Sequence, residues 1–596
     1  MYQPMIPEIP TTRDMINVFG GYNGNLVIGD NEFADMRNMT SSYYPVVSPR
    51  GPRASLKNLG YVTGLHAKNG ISYSTGSSFY YNGKAVPGIT LSANDKQMVS
   101  MGAYILIFPD KIWFNTENEE WGYMEQSNTP TSSTVAATYY PCTKDGERME
   151  YPWTEPETPV NGEIWLDRSE TPHRLMKWSE TTAQWVQVAT TYIAISGTGV
   201  GVGISEGDAI TISNASANGG EWSQDDAETT GKFIQEQIAA INGTAIVQSR
   251  SDDHIVIIGM LDAICYQYSI GPTVSRTLPQ MEYIIEANNR LWGCHYGIVD
   301  GRTVNEIYAS ALGDFKNWRK YEGIASDSYA VSLGSDGPFT GAITYLGHPI
   351  FFKENYIHKV FGSMPSNFQL VTTNFRGVQS GSARSLAIID DILYYKSSVD
   401  ICAYDGSLPV SVSSAITEKY RNAIACGLNG KYYISMVSKK EYALFVYDSK
   451  RGMWHKEDNT QFKFAVAYDT DMYFIVNGIL YSLNGGNPFD DVEPTYEEPV
   501  DWMIETGDIG MTSPDHKYIS RINMRLKTEG EIGIYTMYDS DGIWEDKGKI
   551  SATIKNSFVI PIIPRRCDHM RIRLVGKGDA KIYSISKISE QGSDIL

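Results

Sequence analysis

Cysteine, histidine and positive charge are all scarce in this sequence of 596 residues, and it contains no long apolar run. The six cysteines, Cys142, Cys265, Cys294, Cys402, Cys426 and Cys567, are scattered singly, with no CxxC pair. That excludes a disulfide scaffold and reads as buried thiols made in a reducing cytoplasm. The nine histidines are too dispersed to form a convincing metal site, and no HExxH or Walker A signature is present. No stretch approaches the apolar length of a membrane span, and Met1-Tyr2-Gln3-Pro4-Met5-Ile6-Pro7 lacks the basic start and apolar core of a signal peptide. The expectation is a soluble chain that is not conventionally secreted.

Fifty Lys and Arg stand against 69 Asp and Glu, a formal charge of −19. Gripping nucleic acid requires clustered cations that release counterions, so this balance argues against a DNA-binding protein. It suits a wall along which DNA slides, because like charge keeps the polymer from sticking; simple solubility explains the number equally well.

What the sequence does have is tyrosine (39 residues), glycine (54) and tryptophan (12). Aromatic side chains suit a pleated, half-buried surface and glycine supplies tight turns, so the composition predicts an all-β protein of many short strands. Four segments resemble one another: 349–353, 391–396, 431–435 and 471–475. Anchored on Phe351, Tyr394, Tyr433 and Phe474, they are spaced by 43, 39 and 41 residues. A period near forty filled by strand-like runs is the signature of four-stranded propeller blades. Earlier copies of the two-run unit, near Tyr73, Leu106 and Trp292, bring the candidate blades to about seven. Turns that open on Asp or Asn and close on Trp, as at Asp314 to Trp318 and Asp448 to Trp454, fit hairpin packing.

Five domains follow from the rhythm. Residues 1–60 read as an N-terminal docking arm, 61–125 as the first part of the propeller, and 126–280 as an inserted small β/α-containing domain. Residues 281–487 resume the propeller, and 488–596 alternate as a C-terminal β-sandwich. The insertion holds a three-run meander ending in Trp165, Trp178 and Trp185, and one helix over 231–241 with Ile234, Ile238 and Ile241 on one face.

Chemistry is hard to find. Asp252-Asp253-His254 has ligand-type residues but sits at a strand entrance, and Asp490-Asp491 with Glu493 lacks the alternation of a calcium loop. Glycan cleavage would need carboxylates converging from different blades, and Asp448-Ser449-Lys450-Arg451-Gly452 lacks the Ser-x-Asp-x-Gly order of a sialidase Asp-box. Exposed tryptophans could stack on sugars, although core packing explains them too. No catalytic, cofactor or metal residue is assigned, and the chain is expected not to be an enzyme. Arg50, Arg53, Arg565 and Arg566, which flank prolines, are candidate inter-subunit contacts, with loop anchoring inside the chain as the alternative.

Three N-terminal stretches, Phe19-Gly20-Gly21-Tyr22-Asn23, Glu32-Phe33-Ala34-Asp35-Met36-Arg37-Asn38-Met39 and Tyr44-Pro45-Val46-Val47-Ser48-Pro49-Arg50, resemble the opening of propeller-type structural proteins of phages and prophages. Gly162-Glu163-Ile164-Trp165-Leu166-Asp167 with its hairpin looks like a small β module of phage tail proteins. Among such proteins the chain is most similar to the tail nozzle, or tail tubular, proteins of short-tailed phages. The resemblance implies a homo-oligomer, a hexameric ring, in the tail of the virion, assembled after synthesis in the host bacterial cytoplasm. Its partners would be portal, adaptor and tail fibre proteins, with DNA passing through without sequence-specific binding. The runner-up is a tail-tip protein that binds a host glycan, and a glycan hydrolase is the third class.

Overall fold

The computed structural model describes residues 11–221, 227–489, 491–511 and 516–591. The protein is all-β: among the described residues, Ala227–Ile241 is the one α-helix, and short 3-10 turns occur at Pro365–Asn367 and Ala383–Ser385. Met1 to Pro7 lie outside the described residues.

Seven antiparallel meanders follow one another along the chain. They begin at the strands Val62–Ala67, Gln97–Met101, Tyr283–Ala287, Phe339–Tyr345, Ala387–Ile389, Arg421–Leu428 and Phe464–Tyr468. Each of the seven two-run units of the sequence lies in one of them. The first turn of a meander is often a two-residue turn with both φ angles positive, as at Asn288-Asn289 (54° and 57°), Asp390-Asp391 (47° and 63°) and Asn429-Gly430 (51° and 76°). Such turns match the right-handed twist of the flanking strands and select Asn, Asp and Gly. The first six meanders have four strands, all consecutive in sequence. The seventh draws its fourth strand, Ala54–Asn58, from near the N-terminus, pairing it with Ile479–Ser482.

By contact density the chain divides into two compact units, one of residues 1–98, 335–359 and 371–596, the other of residues 99–334 and 360–370. In the first unit, successive meanders pack through aromatic rings, Phe352 against Tyr395 at 5.3 Å and Tyr394 against Tyr432 at 5.5 Å. Their buried hydroxyls are satisfied by backbone: Tyr395 donates to the Arg376 carbonyl at 2.7 Å and Tyr432 to that of Ser385 at 2.6 Å. A ring thus contributes its apolar area without an orphaned polar atom, which would cost about 1–3 kcal/mol.

Residues 1–60 were expected to be an extended arm with short strands that docks on a neighbour. The described part, from Thr11, is woven into its own chain. Thr11–Ile16 pairs with Ala580–Gln591, and Phe33–Arg37 pairs with Asp501–Thr506. Between them the Tyr22 amide donates to the Trp454 carbonyl at 2.5 Å, and after them the Ser41 hydroxyl donates to Asp448 at 2.6 Å.

The C-terminal domain, expected as a β-sandwich, is organised around one long strand. The strand Lys517–Tyr538, 22 residues long, pairs along its length with Glu545–Ile560 on one side. On the other it pairs first with Ala580–Gln591 and then with Met570–Lys577. The result is one continuous hydrogen-bonded sheet with two wings, not two separate sheets. Register shifts between Leu526 and Glu531 mark where the long strand deviates. Both wings feed one core, with Met524, Leu526, Ile534, Leu574 and Ile582 all buried.

In the second unit the insertion forms a nine-stranded sheet with the helix packed on it, and a separate three-stranded sheet over Ile164–Asp167, Arg174–Ser179 and Gln184–Gln187. Ile234, Ile238 and Ile241 are buried as their spacing predicts, and the helix starts four residues earlier than expected, at Ala227. A buried polar knot ties this sheet to the turn at residues 314–318. Arg276 pairs with Asp208, and Asp208 accepts from Asn317 Nδ2 at 3.1 Å, while Asn317 Oδ1 accepts from the Ala209 amide at 2.7 Å.

Candidate functional site

Two of the four singled-out arginines are buried inside their own chain. Arg50 donates to Asn38 at 3.0 Å, to Glu497 at 2.7 Å and to Asp458 at 3.3 Å. Arg53, only 3% exposed, donates to Glu457 at 2.6 Å and to both Asp458 and Thr460 at 2.8 Å. Burial opposes the charge of Asp458, yet Arg53, Thr460 and Arg50 more than offset it and hold the carboxyl below its usual range. Burial likewise works against the Arg53 cation, and Asp458 and Glu457 outweigh it. As inter-subunit contacts Arg50 and Arg53 are corrected: residues with side-chain exposures of 8% and 3% anchor loops, the alternative left open by the sequence. Arg565 is exposed, 3.0 Å from Glu545 and stacked 3.8 Å over the Tyr538 ring, and Arg566 is exposed in a short strand beside Tyr518.

The three side chains of the sequence candidate Asp252-Asp253-His254 turn to three partners. Asp252 takes Arg250 at 2.8 Å, Asp253 the Gly199 amide at 2.8 Å, and His254 the Ser251 hydroxyl at 2.6 Å. Asp490 lies outside the described residues, and Asp491 stands 3.6 Å from Lys57. Among the described residues no three His, Cys, Asp or Glu side chains are grouped to hold a metal ion. Of the tryptophans, Trp318 and Trp454 are buried, their indole N–H groups donating to the carbonyls of Phe315 and Val412. Trp113, Trp121, Trp165, Trp178 and Trp185 are partly exposed.

The most site-like feature is a cavity of about 520 Å³ in the insertion. Strand Thr131–Cys142 brings in Pro141, and the chain turns back through a bridge between Cys142 and Arg148, which places Arg148, Met149, Glu150, Tyr151 and Trp153 along one wall. Strand Gly219–Glu221 delivers Glu221, and the segment entering Ile264–Ile270 delivers Asp262. Asp262 is 1% exposed and saturated: one oxygen meets His173 Nδ1 at 2.6 Å and the other accepts from Gln237 at 2.9 Å. The His173 ring lies on Phe233 at 4.1 Å. Glu221 accepts from Arg148 at 3.3 Å and from the Tyr266 hydroxyl, and that hydrogen bond raises the Tyr266 pKa. Arg148 also lies 3.5 Å from Glu150, and the Arg168 guanidinium sits 4.4 Å over the Trp153 ring, so the lining is a mixed acidic and aromatic one with Arg148 paired between two carboxylates. None of these residues was singled out from sequence, because they converge from three separated segments.

No family model and no curated protein matches the chain. Solved structures do, at low identity. An exo-β-1,3-galactanase from Phanerochaete chrysosporium is 10% identical over 51% of this chain and 94% of its own, with a TM-score of 0.21. PorZ of the Porphyromonas gingivalis type-IX secretion system is 10% identical over 84% and 70%, with a TM-score of 0.25. An engineered GH43 glycoside hydrolase with endo-xylanase and exo-arabinofuranosidase activity is 9% identical over 52% and 96%, with a TM-score of 0.18. Scores this low carry no argument about what this chain acts on. The expectation that the chain is not an enzyme is corrected by the glycoside hydrolases that stand among the structures it is similar to.

Proposed function

We propose that this chain is a structural subunit of a bacteriophage tail, one of a ring of about six copies that extends the DNA channel as a nozzle. In this reading the seven meanders are the blades of a propeller closed by Ala54–Asn58 on Ile479–Ser482. Portal and adaptor proteins lie above it in the virion and fibre proteins around it, and the genome is retained and then ejected through its lumen.

One observation carries the proposal. The stretches that resemble phage propeller proteins are the stretches that lock the N-terminal segment down. Gly21 and Tyr22 sit on the Trp454 carbonyl, Asn38 takes a φ of 57° and donates to the Asp501 carbonyl at 2.8 Å, and Arg50 enters the acidic cluster. The likeness therefore falls on backbone-determined residues of an interlocked chain, which suits a subunit that must carry load. The high acidic charge supports a lumen that DNA does not stick to. The mass and symmetry of the purified protein, by native mass spectrometry and negative-stain class averages, test it: a ring with a central channel is expected, and a monomer or trimer overturns it.

A second reading, glycan binding at the tail tip, is favoured by the insertion cavity with Tyr151, Trp153, Glu150 and Glu221 in its lining. A glycan-array screen of the full chain with Trp153→Ala as control tests that reading. Signal lost in the variant supports it, and no signal from the parent protein removes it.

A further inference from the structure

Charge is unevenly divided along this chain. Residues 517–591 carry 14 Lys and Arg against 9 Asp and Glu, whereas the rest carries 36 against 60. A segment of net charge +5, which supplies five of the eight strands of its sheet, thus belongs to a chain whose remainder is −24. Within that sheet Ile522, Met524 and Leu526 turn into the core while Arg521, Asn523 and Arg525 turn out. Three of the outward cations have uncharged partners: Arg521 donates to Asn523 at 3.0 Å, Arg525 to Ser557 at 3.3 Å, and Lys555 sits 4.0 Å over the Tyr583 ring.

The strand bearing Ser557 and Lys555 is also an edge. Glu545–Ile560 is 16 residues long and pairs with Lys517–Tyr538 alone among the described strands. Long open edges are usually shortened, bulged or charged to stop unwanted pairing, and Lys549 and Lys555 serve that purpose in part. Guarding does not explain the apolar side chains beside them: Ile554 is 73% exposed and Val559 50%. Cations without acidic partners next to exposed β-branched residues have the composition of a contact surface.

We propose that the outer face and free edge formed by Arg521, Arg525, Lys555, Ile554 and Val559 receive an acidic surface of a second copy of this chain. The charge imbalance names the occupant, because the complement of a basic sheet is carried in excess by the same polypeptide. A basic patch meeting an acidic patch elsewhere on an identical subunit is a heterologous, head-to-tail contact, and such contacts make a ring when the rotation between copies closes. The proposal rests on the ring reading and adds to it which surface joins the subunits.

The test uses the full chain and the triple variant Arg521→Glu, Arg525→Glu, Lys555→Glu. All three side chains lie outside the core, so the thermal midpoint should stay that of the parent. Native mass spectrometry across protein concentration should show rings for the parent and, for the variant, assembly shifted at least about tenfold to higher concentration. Raising salt from about 0.05 M to about 0.5 M should weaken the parent ring, since screening acts on exposed charge. A ring that forms equally well in the variant overturns this inference and leaves the ring reading standing; a parent that never assembles overturns the ring reading itself. Binding of duplex DNA by the parent, lost in the variant with assembly unchanged, overturns the inference in favour of nucleic acid. Should the variant fold poorly, a photo-crosslinker replacing Ser557 in the parent decides: links to acidic peptides of another copy are expected, and links confined to one chain overturn the inference.

Discussion

The Tyr22 amide donates to the Trp454 carbonyl at 2.5 Å, and the residue before it, Gly21, lies so close that a Cβ there would collide with that same carbonyl. The glycine is required by close approach, not by its φ. Gly21→Ala should push the N-terminal segment off the strand Met453–Lys456 and cost about 1–3 kcal/mol. Urea unfolding measures the cost, and faster proteolytic nicking within residues 11–60 locates it.

Arg53 and Arg565 are both paired arginines, and their substitutions should differ sharply. Arg53→Met leaves Glu457 buried beside a vacated partner and should destabilise by about 3–5 kcal/mol. Arg565→Met removes a contact with side chains 44% and 34% exposed and should change stability by less than about 1 kcal/mol. Equal midpoints for the two variants in denaturant would contradict the geometry.

His358 is 1% exposed, held between the hydroxyls of Ser335 at 3.0 Å and Thr372 at 2.9 Å. Burial, with Lys353 adding to it, lowers its pKa to about 4. The unfolded chain takes up a proton near pH 6.5 that the folded one refuses. The stability that His358 contributes is therefore whole above about pH 6.5 and is lost as the pH falls towards 4, by about 3 kcal/mol at most. Thermal midpoints at pH 7 and pH 4.5 should differ less for His358→Gln than for the parent.

Asp208 and Arg276 are 4% and 3% exposed and meet under Asn317. Asp208→Ala strands the guanidinium in the interior and should cost about 3–5 kcal/mol, falling on the second unit. Hydrogen exchange should rise first in strand Ala209–Ser213, while the long C-terminal strands keep their protection.

Local features of the fold could be read from sequence, and long-range ones could not. The spacing of Ile234, Ile238 and Ile241 predicts the helix face because 3.6-residue periodicity is a local property. Asn288-Asn289 and Asp390-Asp391 mark their turns because φ preference belongs to the residue itself. Nothing local tells Leu56 that its strand will complete a meander formed by residues 464–482. The C-terminal wings are concealed for a related reason: alternation along Lys517–Tyr538 shows that one side is buried, not that one strand serves two wings. Arg50 and Arg53 invited a choice between a neighbour and their own chain, and only burial beside Glu457 and Asp458 decides it. His173 and Asp262, 89 residues apart, leave no shared mark in the sequence.

The borrowed strand Ala54–Asn58 also imposes an order on birth. It leaves the ribosome well before its partner Ile479–Ser482, which follows about 420 residues later. At 5–20 residues per second the early strand waits about 20–80 s for its pairing edge to exist. Phe33–Arg37 waits longer for Asp501–Thr506, and Thr11–Ile16 longer still, for Ala580–Gln591. The nascent chain can therefore raise its middle meanders while these early strands remain unjoined. A product that ends before Ile479 carries Ala54–Asn58 without the edge it pairs on, whatever meanders it has already built.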